Sequence, residues 1–343
     1  MFEPKYKVSD LLLNNIKGIA IAIADLNHRS FPHLVLAKFE KTANSLSAYS
    51  STSIEGNPLP LTDVRRILKS RPAHIRNTER EVLNYNHALE NLNKKIGTLP
   101  LKMDVRLLCE IQKQVTVDLI EKHRCGKLRT EPVFVNDPKT GQAVYLPPDH
   151  QDVPTLMEDL FHFIKTKRGQ VDSLILAGIF HKQFVIIHPF VDGNGRTARL
   201  ASKVILADMG LDTFKLFSFE NYYNQKVSTY FQKVGLLGNY YEVINEVDFT
   251  EWLEYFTDGV LDELLRVKKE LELEVLSPST ALQIHHNKIL DFIKKEGFIT
   301  DQNYAKLTKR AKATRALDFK KLTELGFIER LGKGKSTHYK IKI

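Results

Sequence analysis

The chain has 343 residues, 43% of them hydrophobic and 27% charged, with 50 Lys and Arg against 41 Asp and Glu. That composition excludes a disordered or fibrous polypeptide and leaves room for two or three domains. The two cysteines, Cys109 and Cys125, are too few for a disulfide framework and read as reduced thiols. The apolar run around Ile16–Leu26 is broken by Lys17 and Asp25 and is too short to span a bilayer. Nothing at the N-terminus resembles a leader, so a cytoplasmic protein with no membrane role is expected.

In chain order, most of residues 1–275 carry apolar residues at spacings of three and four, as amphipathic helices do. The expected fold is mostly α. Residues 1–100 form an N-terminal helical region. Within it, "SSTSIEGNP" (Ser50–Pro58) reads as a helix end, with Gly56 as its cap and Asn57–Pro58 as its stop. Glu55 lies in the last turn, where the negative helix end disfavours an acid. It is either a plain surface carboxylate or one compensated by a nearby cation. Residues 101–276 form a helical core with one exception. "EPVFVNDPKTGQAVYLPP" has two short β-prone runs around the turn Asn136–Gly141 and predicts a β-hairpin at about 131–147.

The stretch "HPFVDGNGRTAR" (His188–Arg199) joins two helical patterns. Pro189 biases His188 away from helical geometry. Gly193, Asn194 and Gly195 tolerate left-handed backbone and can aim several N–H groups at one point. The next helix therefore opens as an anion site, and Arg196 and Arg199 share a face of its first turn. Two guanidiniums there call for an anion, best a polyphosphate. Asp192 can hold Mg²⁺, and His188 can take a proton from a hydroxyl. No Lys-Ser/Thr follows the glycines, so this is not a P-loop.

Residues 277–281 ("SPST" and Ala281) read as a linker, and residues 282–343 have a different grammar. Helix, helix, basic turn, helix and a two-stranded hairpin follow one another, the order of a winged helix-turn-helix. Residues 281–343 hold 15 Lys and Arg against 6 Asp and Glu, while the preceding 280 residues hold 35 of each. All the excess positive charge is therefore in this tail. Arg310, Lys312 and Arg315 lie at the turn and the start of the third helix, and Lys333 and Lys335 on the wing. They are candidate nucleic-acid contacts, against a solvated basic face or a protein-binding winged helix.

"HPFVDGNGRTAR" matches the Fic-domain signature HPFx[DE]GNGRxxR at every specified position, and the chain resembles the Fic protein adenylyltransferase family. The resemblance implies AMP transfer from ATP to a Tyr, Thr or Ser hydroxyl of a target protein, which could be the chain itself. It implies His188 as general base and Asp192 as ligand of Mg²⁺, or of Mn²⁺ in its place. Gly193, Asn194, Gly195, Arg196 and Arg199 would bind phosphates. Residues 131–147 would be the family's target-holding flap. Asn224 and Tyr230 fall where relatives line an adenine pocket, although they also read as core residues of a helix.

"SSTSIEG" resembles the family's inhibitory motif [ST]xxxE[GN], with Ser51, Glu55 and Gly56 in place on a helix at about 45–56. The resemblance implies that Glu55 pairs with Arg199 and blocks productive ATP binding. Three alternatives remain beside it: AMP removal, transfer of another phosphate-linked group, and a DNA-binding regulator whose Fic core senses nucleotide. The oligomeric state is left open.

Overall fold

The computed structural model describes residues 2–341 apart from Ser30, Arg71, Ala73, 97–100, 137–140, 276–281 and Gly326. The side chains of His33, Leu34, Val275 and Lys335 also lie outside the description, as do the linker expected at 277–281 and the hairpin turn. Helix accounts for 66% of the structure, with few strands. The chain divides into two units, one of residues 1–28 with 42–266 and the other of 29–41 with 267–343.

In the first unit, α1 (Asp10–Asn27) starts at Ser9, whose side chain accepts from the Leu12 amide. The part of α2 (His33–Ile54) in this unit buries Ser47, Ala48, Ser50, Ser51, Thr52 and Ile54. Such small side chains let a helix backbone approach its neighbours closely. Next come α3 (Leu61–Lys69), α4 (Asn77–Ile96) and α5 (Val105–Thr116). Helices α4 and α5, on either side of residue 100, pack on each other within this unit.

Strands β1 (Val135–Asn136) and β2 (Ala143–Leu146) pair antiparallel, Val135 opposite Tyr145. The expected hairpin is thus present, and it gains a third strand. β3 (Gly238–Asn239), about 90 residues on, pairs parallel with β2. A two-residue strand leaves no readable alternation in a sequence.

Helix α6 (Val153–Lys167) follows β2 and packs on α7 (Ser173–Ile187). Apart from Ser173 and the run His181, Lys182 and Gln183, α7 is apolar, and a helix so rich in apolar residues belongs in the centre of a core. Leu174 to Phe184 are all buried. Helix α8 (Asn194–Leu206) runs beside α7 and is buried nearly throughout. Further on, α9 (Phe219–Gln225), α10 (Val227–Val234) and α11 (Tyr240–Val243) lead to α12 (Thr250–Val275). Trp252 of α12 donates its indole N–H to the Gly178 carbonyl at 2.7 Å. A Cβ at Gly178 would sit 2.6 Å from Leu253 Cδ2, so α12 rests directly on the α7 backbone.

The second unit holds α13 (Ile284–Glu296), α14 (Asp301–Leu307), α15 (Lys312–Glu324) and the antiparallel pair β4 (Ile328–Leu331) and β5 (His338–Ile341). Gly297 closes α13 at φ 80°, and Thr300 caps α14. Ile289, Ile293, Ile299, Tyr304, Phe319, Leu322 and Ile328 form its core. The rings of Phe319 and Tyr339 stack at 4.2 Å.

Candidate functional site

The site is the loop between α7 and α8. His188 ends α7 in left-handed geometry, φ 50° and ψ 59°. A non-glycine residue there is strained by about 1 kcal/mol or more, and surrounding contacts must hold it. Arg129 supplies them. Its Nε donates to the His188 carbonyl at 2.9 Å, and its amide to the Pro189 carbonyl at 2.9 Å. The same guanidinium also reaches the carbonyls of Glu131 and Pro148. Nδ1 of His188 faces the Val185 carbonyl at 3.2 Å, so it carries the proton and leaves Nε2 as acceptor. Burial pushes the His188 pKa down to about 4, leaving the imidazole neutral at pH 7. That is the state a general base needs.

The rest of the loop is built from the inside. Phe190 is fully buried. Asn194 clamps it, accepting from the Phe190 amide at 2.9 Å and donating to the Phe190 carbonyl at 2.8 Å. The Asn194 side chain is spent on the loop itself, which leaves its backbone N–H, the group expected to face an anion, at the start of α8. Gly193 has φ 80°, and a Cβ there would lie 2.8 Å from Thr116 Cγ2 on α5. Gln112, also on α5, donates to the Asp192 carbonyl at 3.1 Å. The first intrahelical bond of α8 is Thr197 N–H to the Gly193 carbonyl. The amides of residues 194–196 therefore have no acceptor within the helix, which makes this end an anion site.

Both signature arginines meet anions, and the anions are carboxylates of this chain. Arg196 is almost buried, with Nη1 2.7 Å from Glu81 and Nη2 3.0 Å from Asp192. Arg199 has no exposure. It donates to Ser51 Oγ at 2.7 Å, to the Ser51 carbonyl at 2.9 Å, to Glu55 at 2.6 Å and to the Tyr230 hydroxyl at 3.3 Å. Burial opposes its charge, but Glu55 and its other neighbours hold its pKa above the ordinary arginine value. A Cβ on Gly195 would lie 2.2 Å from Glu55 Oε1, so the carboxylate sits against the bare first turn of α8. It covers the place where a phosphate on the α8 amides would meet Arg199. Gly56, at φ 94°, ends the turn that carries Glu55.

Asp192 is 43% exposed on its side chain, and its Oδ1 accepts from the Gly193 amide at 2.6 Å. An exposed carboxylate beside helix-start amides that have no acceptor within the helix suits a hard cation such as Mg²⁺. With Glu81 and Arg196 the group carries one net negative charge, which also favours a cation.

Tyr230 is 1% exposed and packed among Tyr223, His181 and Trp252, its hydroxyl 3.0 Å from His181 Nε2. So buried, it offers no open face to a base, and its hydroxyl instead accepts from Arg199. Asn224 is partly exposed near the end of α9. Sequence reasoning missed Arg129, Gln112 and Glu81, and it read Asn57 only as a helix stop, without its bonds to Thr78 and Glu81. It also missed Glu220, a buried acid on α9 that accepts from Ser47, Tyr85 and Ser218 and pairs with Lys203 at 3.3 Å. Arg129, Gln112, Glu81 and Glu220 lie in none of the stretches singled out in the sequence, and each reaches its partners through an element distant in sequence.

In the second unit the candidate basic residues differ among themselves. Arg315 makes a two-pronged pair with Asp301 at 2.8 and 2.9 Å. Arg310 pairs with Asp318 at 2.9 Å. Both are candidate nucleic-acid contacts that already pair with acids of their own unit. Lys312 and Lys333 are exposed. His285, His286 and Asp318 have the spacing of metal ligands. Both Nδ1 atoms, however, accept N–H groups, from Arg310 and from the Gln283 amide. Both Nε2 atoms therefore carry protons toward Asp318, and a metal there would have to displace them.

Residues 102–206 match the Fic/DOC family. The chain is 30% identical over 183 residues to Protein adenylyltransferase Fic of Drosophila virilis, covering 51% of this chain and 35% of that protein. A Nematostella vectensis protein of the same name is 30% identical over 168 residues, covering 47% and 37%. The chain thus spans about a third of the length of these curated relatives. Among solved structures, a Fic family protein from Desulfovibrio desulfuricans G20 superposes with a TM-score of 0.66 at 19% identity, over 99% of this chain and 98% of that one. Fic-1 from C. elegans gives 0.61 at 21% identity, over 78% and 74%. The chain carries a Fic domain and is homologous to Fic protein adenylyltransferases.

Proposed function

We propose that the protein transfers AMP from ATP to a hydroxyl side chain of a target protein and that Glu55 represses the reaction. One observation carries this reading. The neutral His188, with Nε2 free to accept, stands beside an anion-binding helix start whose second arginine is held by Glu55. The names of the curated relatives agree with it.

In this reading the α8 amides and Arg196 and Arg199 hold the polyphosphate once Glu55 has left Arg199. Asp192 would hold Mg²⁺, which neutralises phosphate charge when bound. Nε2 of His188 takes the proton of the target hydroxyl while its oxygen attacks the α-phosphorus. The bond from that phosphorus to the β-phosphate oxygen breaks, and pyrophosphate leaves. The protein supplies positioning, charge and one proton transfer. The strands at 135–136 and 143–146 are the proposed flap that holds the target segment.

The test is label transfer from α-³²P-ATP to proteins of a lysate. Glu55→Gly should label and wild type should not, and adding His188→Ala should abolish the label. Absence of label in the Glu55→Gly chain, with ATP bound, would refute AMP transfer and direct attention to other donors or to AMP removal.

For the second unit, we propose a winged helix that binds nucleic acid through Lys312 and Lys333. The excess of nine positive charges in residues 281–343 supports it. Binding of the full chain to duplex DNA should weaken with salt, and Lys312→Glu with Lys333→Glu should lower the slope by about two phosphates' worth. An unchanged slope would refute this surface.

A further inference from the structure

We propose that Asn57 and Glu81 form a strut that holds the inhibitory turn, making Asn57 a positioning residue for Glu55. The proposal rests on the reading of Glu55 as a brake. Glu55 is carried by the single turn that ends α2. Its amide bonds to the Thr52 carbonyl at 3.1 Å, the Gly56 amide to Ser53 at 2.9 Å and the Asn57 amide to Thr52 at 3.0 Å. Helix ends held only by such bonds open readily. Asn57 ties this one to α4. It is 8% exposed, and its Nδ2 donates to the Thr78 carbonyl at 2.9 Å and to Glu81 Oε2 at 2.7 Å.

A helix stop needs none of this. Stopping α2 takes only Gly56 and the Asn57 Oδ1, which accepts from the Leu59 amide at 3.1 Å. The amide end of the side chain is used on another helix. Glu81 passes the connection on: its Oε1 holds Arg196 at 2.7 Å, and Arg196 holds Asp192. The segment from Ser51 to Asn57 therefore touches both signature arginines, Arg199 through Glu55 and Arg196 through Asn57 and Glu81. Desolvation raises the Glu81 pKa, while Arg196 and Asn57 work to keep the group ionised.

Asn57→Asp is the discriminating change. It has the same shape and keeps the oxygen that accepts from Leu59, but it turns the donor end into an oxygen facing Thr78 and the Glu81 carboxylate. The amides of Glu55, Gly56 and Asn57 should exchange hydrogen about tenfold faster than in wild type, with the core of α7 as an internal control of folding. Asn57→Ala, which removes the donors without adding charge, should have a smaller effect. Glu81→Gln combined with Asn57→Asp should restore protection by returning a donor to the pair. Unchanged exchange in Asn57→Asp, or faster exchange that Glu81→Gln does not restore, would overturn the strut.

Label transfer separates the strut from the brake. Asn57→Asp with Glu55 intact should label severalfold above wild type. If Glu55→Gly labels and Asn57→Asp stays silent, the strut is overturned and the brake stands. If neither labels but exchange responds as described, the strut stands and the transferase reading falls.

Discussion

Replacing Glu55 by Ala isolates its contact with Arg199. The carboxylate lies 2.6 Å from Arg199, whose side chain has no exposure while that of Glu55 retains 28%. Removing one partner of a fully buried ion pair costs about 3–5 kcal/mol, because the other charge is left uncompensated. Here Ser51 and Tyr230 still accept from Arg199, and water already reaches Glu55, so about 2 kcal/mol is the fitting figure. The first unit has roughly 250 residues. At about 2 cal/mol/K of unfolding entropy per residue, the loss lowers Tm by about 4 °C. The freed guanidinium should then accept an outside anion. Pyrophosphate at ten times its Kd would return about 1.4 kcal/mol to the variant, most of the lost stability. Thermal unfolding of wild type and Glu55→Ala, with and without pyrophosphate, tests both steps. An unchanged Tm together with the same pyrophosphate response in both chains would refute the idea that Glu55 shields Arg199.

Gly195→Ala should destabilise wild type by about 1–2 kcal/mol, since the new Cβ meets Glu55 Oε1 at 2.2 Å, but should cost little in a Glu55→Ala chain. A double-mutant cycle in urea measures the coupling, and additive effects would contradict the geometry. Gly193→Ala combines a positive φ with a Cβ 2.8 Å from Thr116 Cγ2 and should cost about 2 kcal/mol in any background. Equilibrium unfolding checks this, and a neutral effect would mean that the loop does not rest on α5. The His188 pKa near 4 lies below the ordinary 6.5, so the unfolded chain binds the proton first as pH falls. The stability this residue contributes is complete above pH 6.5 and is lost progressively between 6.5 and about 4. His188→Asn should flatten stability against pH in that window, and kcat/KM of a Glu55→Gly chain should hold down to about pH 4. An acid limb at 6.5 would place His188 in open water.

The helical class was legible because apolar spacing along one helix is a local property. The loop was legible for the same reason. Pro189, Gly193 and Gly195 act on their own backbone, and Arg196 and Arg199 lie one helical turn apart. Glu55 was conspicuous because an acid at a helix C-terminus needs a cation from elsewhere.

The sequence could not say which groups answer those local demands. Arg129 and Gln112 hold the loop through carbonyls, which leave no compositional trace. Glu81 and Asn57 meet because α4 passes the end of α2. Arg310 and Arg315 look open in a basic tail, yet carboxylates eight and fourteen residues away along the chain neutralise them. Local backbone and helix preferences thus determined that this chain builds a glycine-lined helix start with a histidine before it and two arginines in its first two turns. Only tertiary packing, which brings distant charges within 3 Å, decided that the chain's own acids meet its arginines.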